Sequence, residues 1–317
     1  MRPPLWPLVL AAGAGRRLAP ITGRVPKQFW RPDGRTSLLD DTLARLARLT
    51  PAARTVTVVD RSHRPYVEAV ARPARLGHVV YQPSDQGTAA GVRLGLLHAG
   101  ADPDATIVMT PSDQGIARPA LFHAGLALAI DDVRRGRSEM VAFGVEADRP
   151  EQDYGWITPA RAEDGRRLAS VAAFVEKPEA SAAARLFTSG ALWNTMVLVT
   201  RAGALADRFR RHLPDLAEVF DTASHLRAAD QEAFLDRVYA SLPRYDFSRD
   251  LVAAVDGLSL VVWPNAMGWS DLGTPDRLAE WQSAKRHRHA VVRADDARGT
   301  RVTVDFEPRL LASAASE

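Results

Sequence analysis

The residues best suited to chemistry lie in "VLAAGAGRRLAP", positions 9–20, and in "PKQF", positions 26–29. Glycines let a backbone come close to an anion and turn its N–H groups toward it, and Arg16, Arg17 and Lys27 add positive charge nearby. The pattern predicts a phosphate-holding turn over Ala11, Ala12, Gly13 and Gly15. Two familiar phosphate motifs do not fit. A dinucleotide fingerprint needs a third glycine where Leu18 stands, and its ribose-binding acid would have to be Asp60, which lies too far downstream. A P-loop needs Gly-Lys followed by Ser or Thr, and none follows. On the residues alone, an ordinary glycine turn stays open beside the anion cradle.

A second feature is an echo: "PSDQG" occurs at 83–87 and again at 111–115, each time directly after an apolar run. The flanks do not match, so a shared turn requirement explains it better than duplication. Asp85 and Asp113 therefore compete for two roles, a turn or capping carboxylate and a cation ligand.

The elements that must position these residues are legible from patterning. Strand-like runs "PLVLAA", "RTVTVVD", "GHVVYQ" and "ATIVMT" alternate with helical patterns such as "LLDDTLARLARL", "GTAAGVRLGLLHAG" and "RPALFHAGLALAIDDVRR". That alternation predicts an α/β fold with a doubly wound, mostly parallel, Rossmann-like sheet. Ligands of such sheets collect at the carboxyl ends of the strands, which singles out Gly13, Gln82 and Asp113. Further strands are predicted in "EMVAFGV", "LASVAAFVEKP", "ALWNTMVLVT" and "GLSLVVWP", with a helix in "EASAAARLFTSG" and helical patterning from about Ala202 to Leu242. This less regular half reads as embedded in one domain over 1–285, followed by a short extension, 286–317, that is either a strand pair or a partly disordered end.

Composition narrows the function. The 41 Lys and Arg against 38 Asp and Glu are scattered and give a net charge of only +3, so nucleic acid is not an expected partner. The absence of cysteine excludes disulfides, thiolate metal sites and a cysteine nucleophile. The eight histidines show no ligand spacing. No run is long enough to span a membrane, and the prolines Pro3, Pro4 and Pro7 interrupt the one stretch that imitates a signal peptide. A cytoplasmic protein is expected.

With these residues in view, "LAAGAGRRLAPIT" with "PKQF" resembles the nucleotide-binding segment of sugar-1-phosphate nucleotidyltransferases, and "QPSDQGTAAGV" resembles that of mannose-1-phosphate guanylyltransferases. "TPSDQ", "DYGWI", "FVEKP", "LWNTMVLV" and "GWSDLGTPDRL" follow in the order of that family's later motifs, so the likeness spans about residues 8 to 280. The resemblance implies transfer of a nucleoside monophosphate, GMP from GTP, to a hexose 1-phosphate such as mannose 1-phosphate, giving a nucleotide sugar such as GDP-mannose, and pyrophosphate.

It implies Arg17 and Lys27 on the triphosphate, Gln82, Gly87 and Thr88 toward the base, and Gly155, Glu176, Lys177 and Asn194 around the sugar phosphate. It also implies Asp113, with Asp271, as carboxylates for Mg²⁺, leaving Asp85 as the capping residue of the echoed pair. In-line meeting of two polyanions needs cations and positioning more than a nucleophilic side chain, which suits this set. A transferase acting on UTP or dTTP with glucose 1-phosphate, and a non-catalytic nucleotide-sugar-binding regulatory protein, are the alternatives. Gln114, where the family usually has His, and "RYDFSRDLVAA" are departures from the family pattern that motivate the latter. The chain leaves no room for an appended isomerase domain, so a stand-alone transferase is implied, with a homodimer allowed but not required.

Overall fold

The structure is a computed structural model that describes residues 3–70, 73–100, 102–160 and 167–283. The predicted 286–317 extension, and with it the 285/286 boundary, lies outside the described residues.

Strands β1 (Leu5–Ala11), β2 (Val56–Asp60), β3 (His78–Gln82) and β4 (Thr106–Pro111) form one half of a nine-stranded sheet. They lie in the order β3-β2-β1-β4, and each pairs in parallel with its neighbour. The other half holds β6 (Met140–Glu146), β7 (Gly155–Pro159), β8 (Ala169–Glu176), β9 (Leu192–Arg201) and β10 (Ser259–Trp263). Here β9 joins antiparallel to both β4 and β6, β10 pairs in parallel with β6, and β8 is antiparallel to β10 and to β7. Strand β7 also pairs back onto β9, so these five strands curl into a ring. Among the described residues β1, β2, β3, β4, β6, β7 and β10 run one way, and only β8 and β9 oppose them. A separate ribbon pairs β5 (Gln114–Ile116) with β11 (Trp269–Asp271). These three-residue strands have no periodicity to announce them.

The sheet is buried on both faces, and the alternation along β1 shows how. Leu8 packs with Val56, Val58 and Val80 under the helix Gly87–His98, whereas Val9 and Ala11 pack with Val59 under the helix Leu38–Leu46 through Leu39, Leu43 and Leu46. The second of these helices starts at a capping box, with the Ser37 hydroxyl accepting from the Asp40 N–H and the Asp40 carboxylate accepting from the Ser37 N–H. A third core joins Val108, Val141, Phe143 and Trp263 to Phe122 and Leu126 of the helix Pro119–Arg134. Three further helices, Ala202–His212, Pro214–Ser224 and Ala228–Val238, cover the first face through Leu205, Phe209, Leu216, Phe220 and Leu235. The carboxyl ends of β1 to β4 are thereby held at one edge, facing β7, β8 and β9 across a cleft.

Candidate active site

That cleft is a cavity of about 910 Å³. From the first half it is lined by Ala12, Gly13, Arg17, Lys27, Gln82, Gly87, Thr88 and Asp113, and from the second by Gly155, Glu176, Lys177, Asn194 and Asp271. Ala11 departs from expectation: it is the last residue of β1, 1% exposed, and its side chain belongs to the core rather than to the cavity wall. Gly15 lines an adjoining cavity of about 790 Å³ that shares Gly13, Arg17, Lys27 and Asp113.

The glycine turn is braced from beneath. Gln28, 2% exposed, donates from Nε2 to the carbonyls of Ala11 (2.6 Å) and Gly13 (3.1 Å), so the turn has a fixed shape without a ligand. Gly15 adopts φ 61°, and a Cβ there would lie 2.7 Å from the Lys27 Cβ and 2.9 Å from its backbone N. Gly15→Ala should therefore destabilise the fold by about 1–3 kcal/mol, through the left-handed backbone and the clash together. It should also lower activity by displacing Lys27. Urea unfolding midpoints beside turnover rates would check both.

Lys27 is the centre of the site. Its ammonium lies 3.0 Å from Asp113 Oδ2 and 3.2 Å from Asp271 Oδ1, with only 8% of the side chain exposed. Burial alone would pull its pKa down, but the two carboxylates outweigh that and hold it above its usual value. The β5–β11 ribbon explains how residues so distant in sequence converge. Asp271 is in register with Gln114, one residue past Asp113. Gln114 fixes this ribbon to the sheet: its Nε2 donates to the Thr195 carbonyl on β9 (2.6 Å), and its Oε1 accepts from the Trp269 indole (3.1 Å). This departure from the family pattern is thus a buried brace with both ends of its amide used.

Across the cleft, Gly155 allows a close approach. A Cβ there would meet Glu176 Oε2 at 2.5 Å and Asn194 Cβ at 3.2 Å. Lys177 Nζ lies 2.9 Å from Glu176 Oε1 and 3.7 Å from Asp246 Oδ2, and about half of its side chain is exposed. Lys177 and Met196, both lining the cavity, hold left-handed backbones at φ 47° and φ 56°, an uncommon conformation for such side chains that concentrates at functional sites. Asn194 Oδ1 accepts from the Met196 N–H at 3.1 Å. Arg17, half exposed, bridges the cleft to Asp153 at 2.5 Å.

On the β3 side, Gln82 is 3% exposed at the strand's end. Gly87, at φ 83°, starts the helix beside the Tyr245 carbonyl, where a Cβ would sit 2.4 Å from that oxygen. The Thr88 hydroxyl accepts from the Phe247 N–H at 2.8 Å, which differs from a purely base-facing role: it ties the helix to the Asp246 segment. The echoed aspartates take different partners. Asp85 Oδ1 accepts from the Gly87 N–H, and its other oxygen meets Arg244 at 3.0 Å, whereas Asp113 faces Lys27.

The comparisons with known proteins agree on the family of the chain. The sequence profile of the nucleotidyl transferase family matches residues 6–288. The chain belongs to that family. Among the relatives of this nucleotidyl transferase, the alginate biosynthesis protein AlgA of Pseudomonas fluorescens is 30% identical over 84% of this chain and 56% of its own length. The mannose-1-phosphate guanylyltransferase of Escherichia coli K12 is 29% identical over 87% of this chain and 59% of its own. The chain thus spans little more than half the length of these relatives. A solved structure described as a mannose-1-phosphate geranyltransferase from Thermus thermophilus superposes with a TM-score of 0.74 at 28% identity, covering 86% of this chain and 77% of that one.

Members of the nucleotidyl transferase family generally use a divalent metal, and the donor set here can be tested for fit. Among the described residues no group of three or more His, Cys, Asp and Glu side chains is placed to hold an ion. Asp113 and Asp271 nevertheless both approach the single cation Lys27 Nζ from facing elements. Two carboxylates, with phosphate oxygens and water completing the shell, suit a divalent ion that is only partly held by the protein. No helix among the described residues is long and apolar enough to cross a membrane.

Some contributors carry little signal in the sequence. Asp153 stands out there only as part of "DYGWI", and Gln28 only as part of "PKQF". Arg277 likewise stands out only as part of "GWSDLGTPDRL", with no role expected of it: it is 7% exposed, lies over the Trp193 ring at 4.6 Å and pairs with Asp148, joining the segment that carries Asp271 to the far wall.

Glu176 has a measurable electrostatic signature. Burial pushes its carboxyl above the usual 4.5, more than Lys177 pulls it down, and Oε2 has no hydrogen-bond partner among the described residues. The folded state thus favours the proton, so this contribution to stability is present below pH 4.5 and is lost as pH rises through the folded pKa. Glu176→Gln cannot lose it. The variant should melt above the parent near neutral pH, with the gap closing as pH falls below 4.5. Thermal melts across that range would check it.

Proposed function

We propose that the chain transfers GMP from GTP to a hexose 1-phosphate, mannose 1-phosphate in the first instance, releasing pyrophosphate and forming a nucleotide sugar. The observation that carries this reading is the trio Asp113–Lys27–Asp271 at the floor of a cleft, with the braced glycine turn on one side and Glu176, Lys177 and Asn194 on the other. The likeness to mannose-1-phosphate guanylyltransferases supports the choice of nucleotide and sugar.

In this reading the turn N–H groups of Ala12 and Gly13 meet the triphosphate, with Arg17 released from Asp153 to reach the departing phosphates. Lys27 neutralises charge near the α-phosphate, and Lys177 orients the attacking sugar phosphate for in-line displacement. Asn194 and Glu176 accept or donate hydrogen bonds to sugar hydroxyls beside the bare backbone of Gly155. Gln82 and Gly87 face the base. Asp113 and Asp271 would hold Mg²⁺, which supplies charge neutralisation for the phosphates when bound. The substrate nucleotides and the lack of cysteine support a cytoplasmic setting for the reaction.

The test is a substrate panel. The purified protein with GTP, mannose 1-phosphate and Mg²⁺ should release pyrophosphate faster than with UTP, dTTP or glucose 1-phosphate. Release with none of the pairs, despite nucleotide-sugar binding, would move the chain to the regulatory alternative.

A further inference from the structure

Asp60 is an acidic residue that the phosphate chemistry does not use. It ends β2, in register with Gln82 at the end of β3, and both line the cavity. In-register residues of adjacent parallel strands project from the same face about 4.8 Å apart, a span comparable with the hydrogen-bonding edge of a nucleobase. The surrounding wall suits a flat ring. Leu10 and Val58 line it from β1 and β2, and Gly91, on the covering helix, presents no side chain: a Cβ there would lie 3.1 Å from Gln82 Oε1 and 4.0 Å from Val58 Cγ1.

The Asp60 carboxylate is half committed. Oδ1 accepts from the Ser62 N–H at 2.9 Å and from the Ser62 hydroxyl at 2.5 Å, which fixes the plane of the group. Oδ2 has no hydrogen-bond partner among the described residues. A fixed carboxylate is an acceptor only, and so selects an edge that presents donors. Guanine offers adjacent ring N–H and exocyclic amino donors beside its carbonyl acceptor. Adenine, uracil and thymine do not present that pair. We infer that Asp60 is a specificity-determining residue that accepts the donor edge of guanine, beside the Gln82 amide at the carbonyl. This deepens the guanylyl-transfer reading and rests on it.

The experiment is equilibrium binding of GDP, IDP and ADP to the full chain, with and without Asp60→Asn. IDP lacks only the exocyclic amine. The parent should bind GDP at least about tenfold more tightly than IDP, since a site built to pair a polar group rejects the analogue lacking it. Asp60→Asn keeps an oxygen to accept from the Ser62 N–H, so the turn should persist, as thermal melting will show. The variant should bring the GDP-to-IDP ratio to within about twofold, chiefly by losing GDP affinity. Equal binding of GDP and IDP by the parent, or an unchanged ratio in the variant, overturns the inference. Pyrophosphate release measured in parallel separates the two readings. Transfer with a ratio insensitive to Asp60 removes only this residue's role. A clear GDP preference without transfer from any nucleotide removes the catalytic reading and leaves the base contact standing.

Discussion

Asp113→Ala and Asp271→Ala should each reduce pyrophosphate release by more than about 10³-fold while Asp85→Ala stays within severalfold of the parent. The size of the first effect follows from the proposed chemistry, in which the two carboxylates organise the cations that offset charge on a transferring phosphoryl group, a contribution worth about 10²–10³ or more when removed. The fold should survive. Each single change leaves Lys27 one carboxylate partner, at 3.0 or 3.2 Å, so the ammonium is never buried unpaired. Asp85 makes its contacts to the Gly87 N–H and to exposed Arg244, so its removal loosens a turn rather than the reacting centre. Circular dichroism and melting on all three variants, beside turnover at several Mg²⁺ concentrations, would separate loss of chemistry from loss of structure. If Asp85→Ala alone lost activity, the echoed "PSDQG" segments would have to exchange roles.

That pair also shows what a sequence can and cannot disclose. Both segments announce a turn after an apolar strand, because strand patterning and Asp-Gln-Gly chemistry are local. The parallel half of the sheet and the placement of Gly13, Gln82 and Asp113 at strand ends follow from the same local signals. What separates Asp113 from Asp85 is contact with Lys27, far upstream in the chain, and with the ribbon carrying Asp271, which is paired across more than 150 positions. Gln114 is the sharper case. As a departure from a family pattern it suggests altered chemistry, yet both ends of its amide are used by Thr195 and Trp269, 81 and 155 positions away. Thr88 sits in the cleft wall while its hydroxyl is spent on the Phe247 N–H. In each instance the residue type is legible and its partner is not.

Lys27→Met should cost about 10³-fold or more in turnover, and its consequences for stability are more informative than the loss itself. The substitution keeps the aliphatic stem that fills the buried space but leaves Asp113 and Asp271 facing each other without the ammonium between them. Two like charges left in one site without the ammonium repel each other. Stability at neutral pH should fall by about 1–3 kcal/mol, less than for a fully buried pair because the carboxylates are 30% and 23% exposed. Mg²⁺ should then raise the melting temperature of Lys27→Met more than that of the parent, because the ion restores the missing charge where the parent already carries a cation. Equal Mg²⁺ shifts in the two proteins would mean that the metal is not held by these carboxylates. The ammonium and the metal would in that event serve separate places in the cleft, rather than sharing the charge of one.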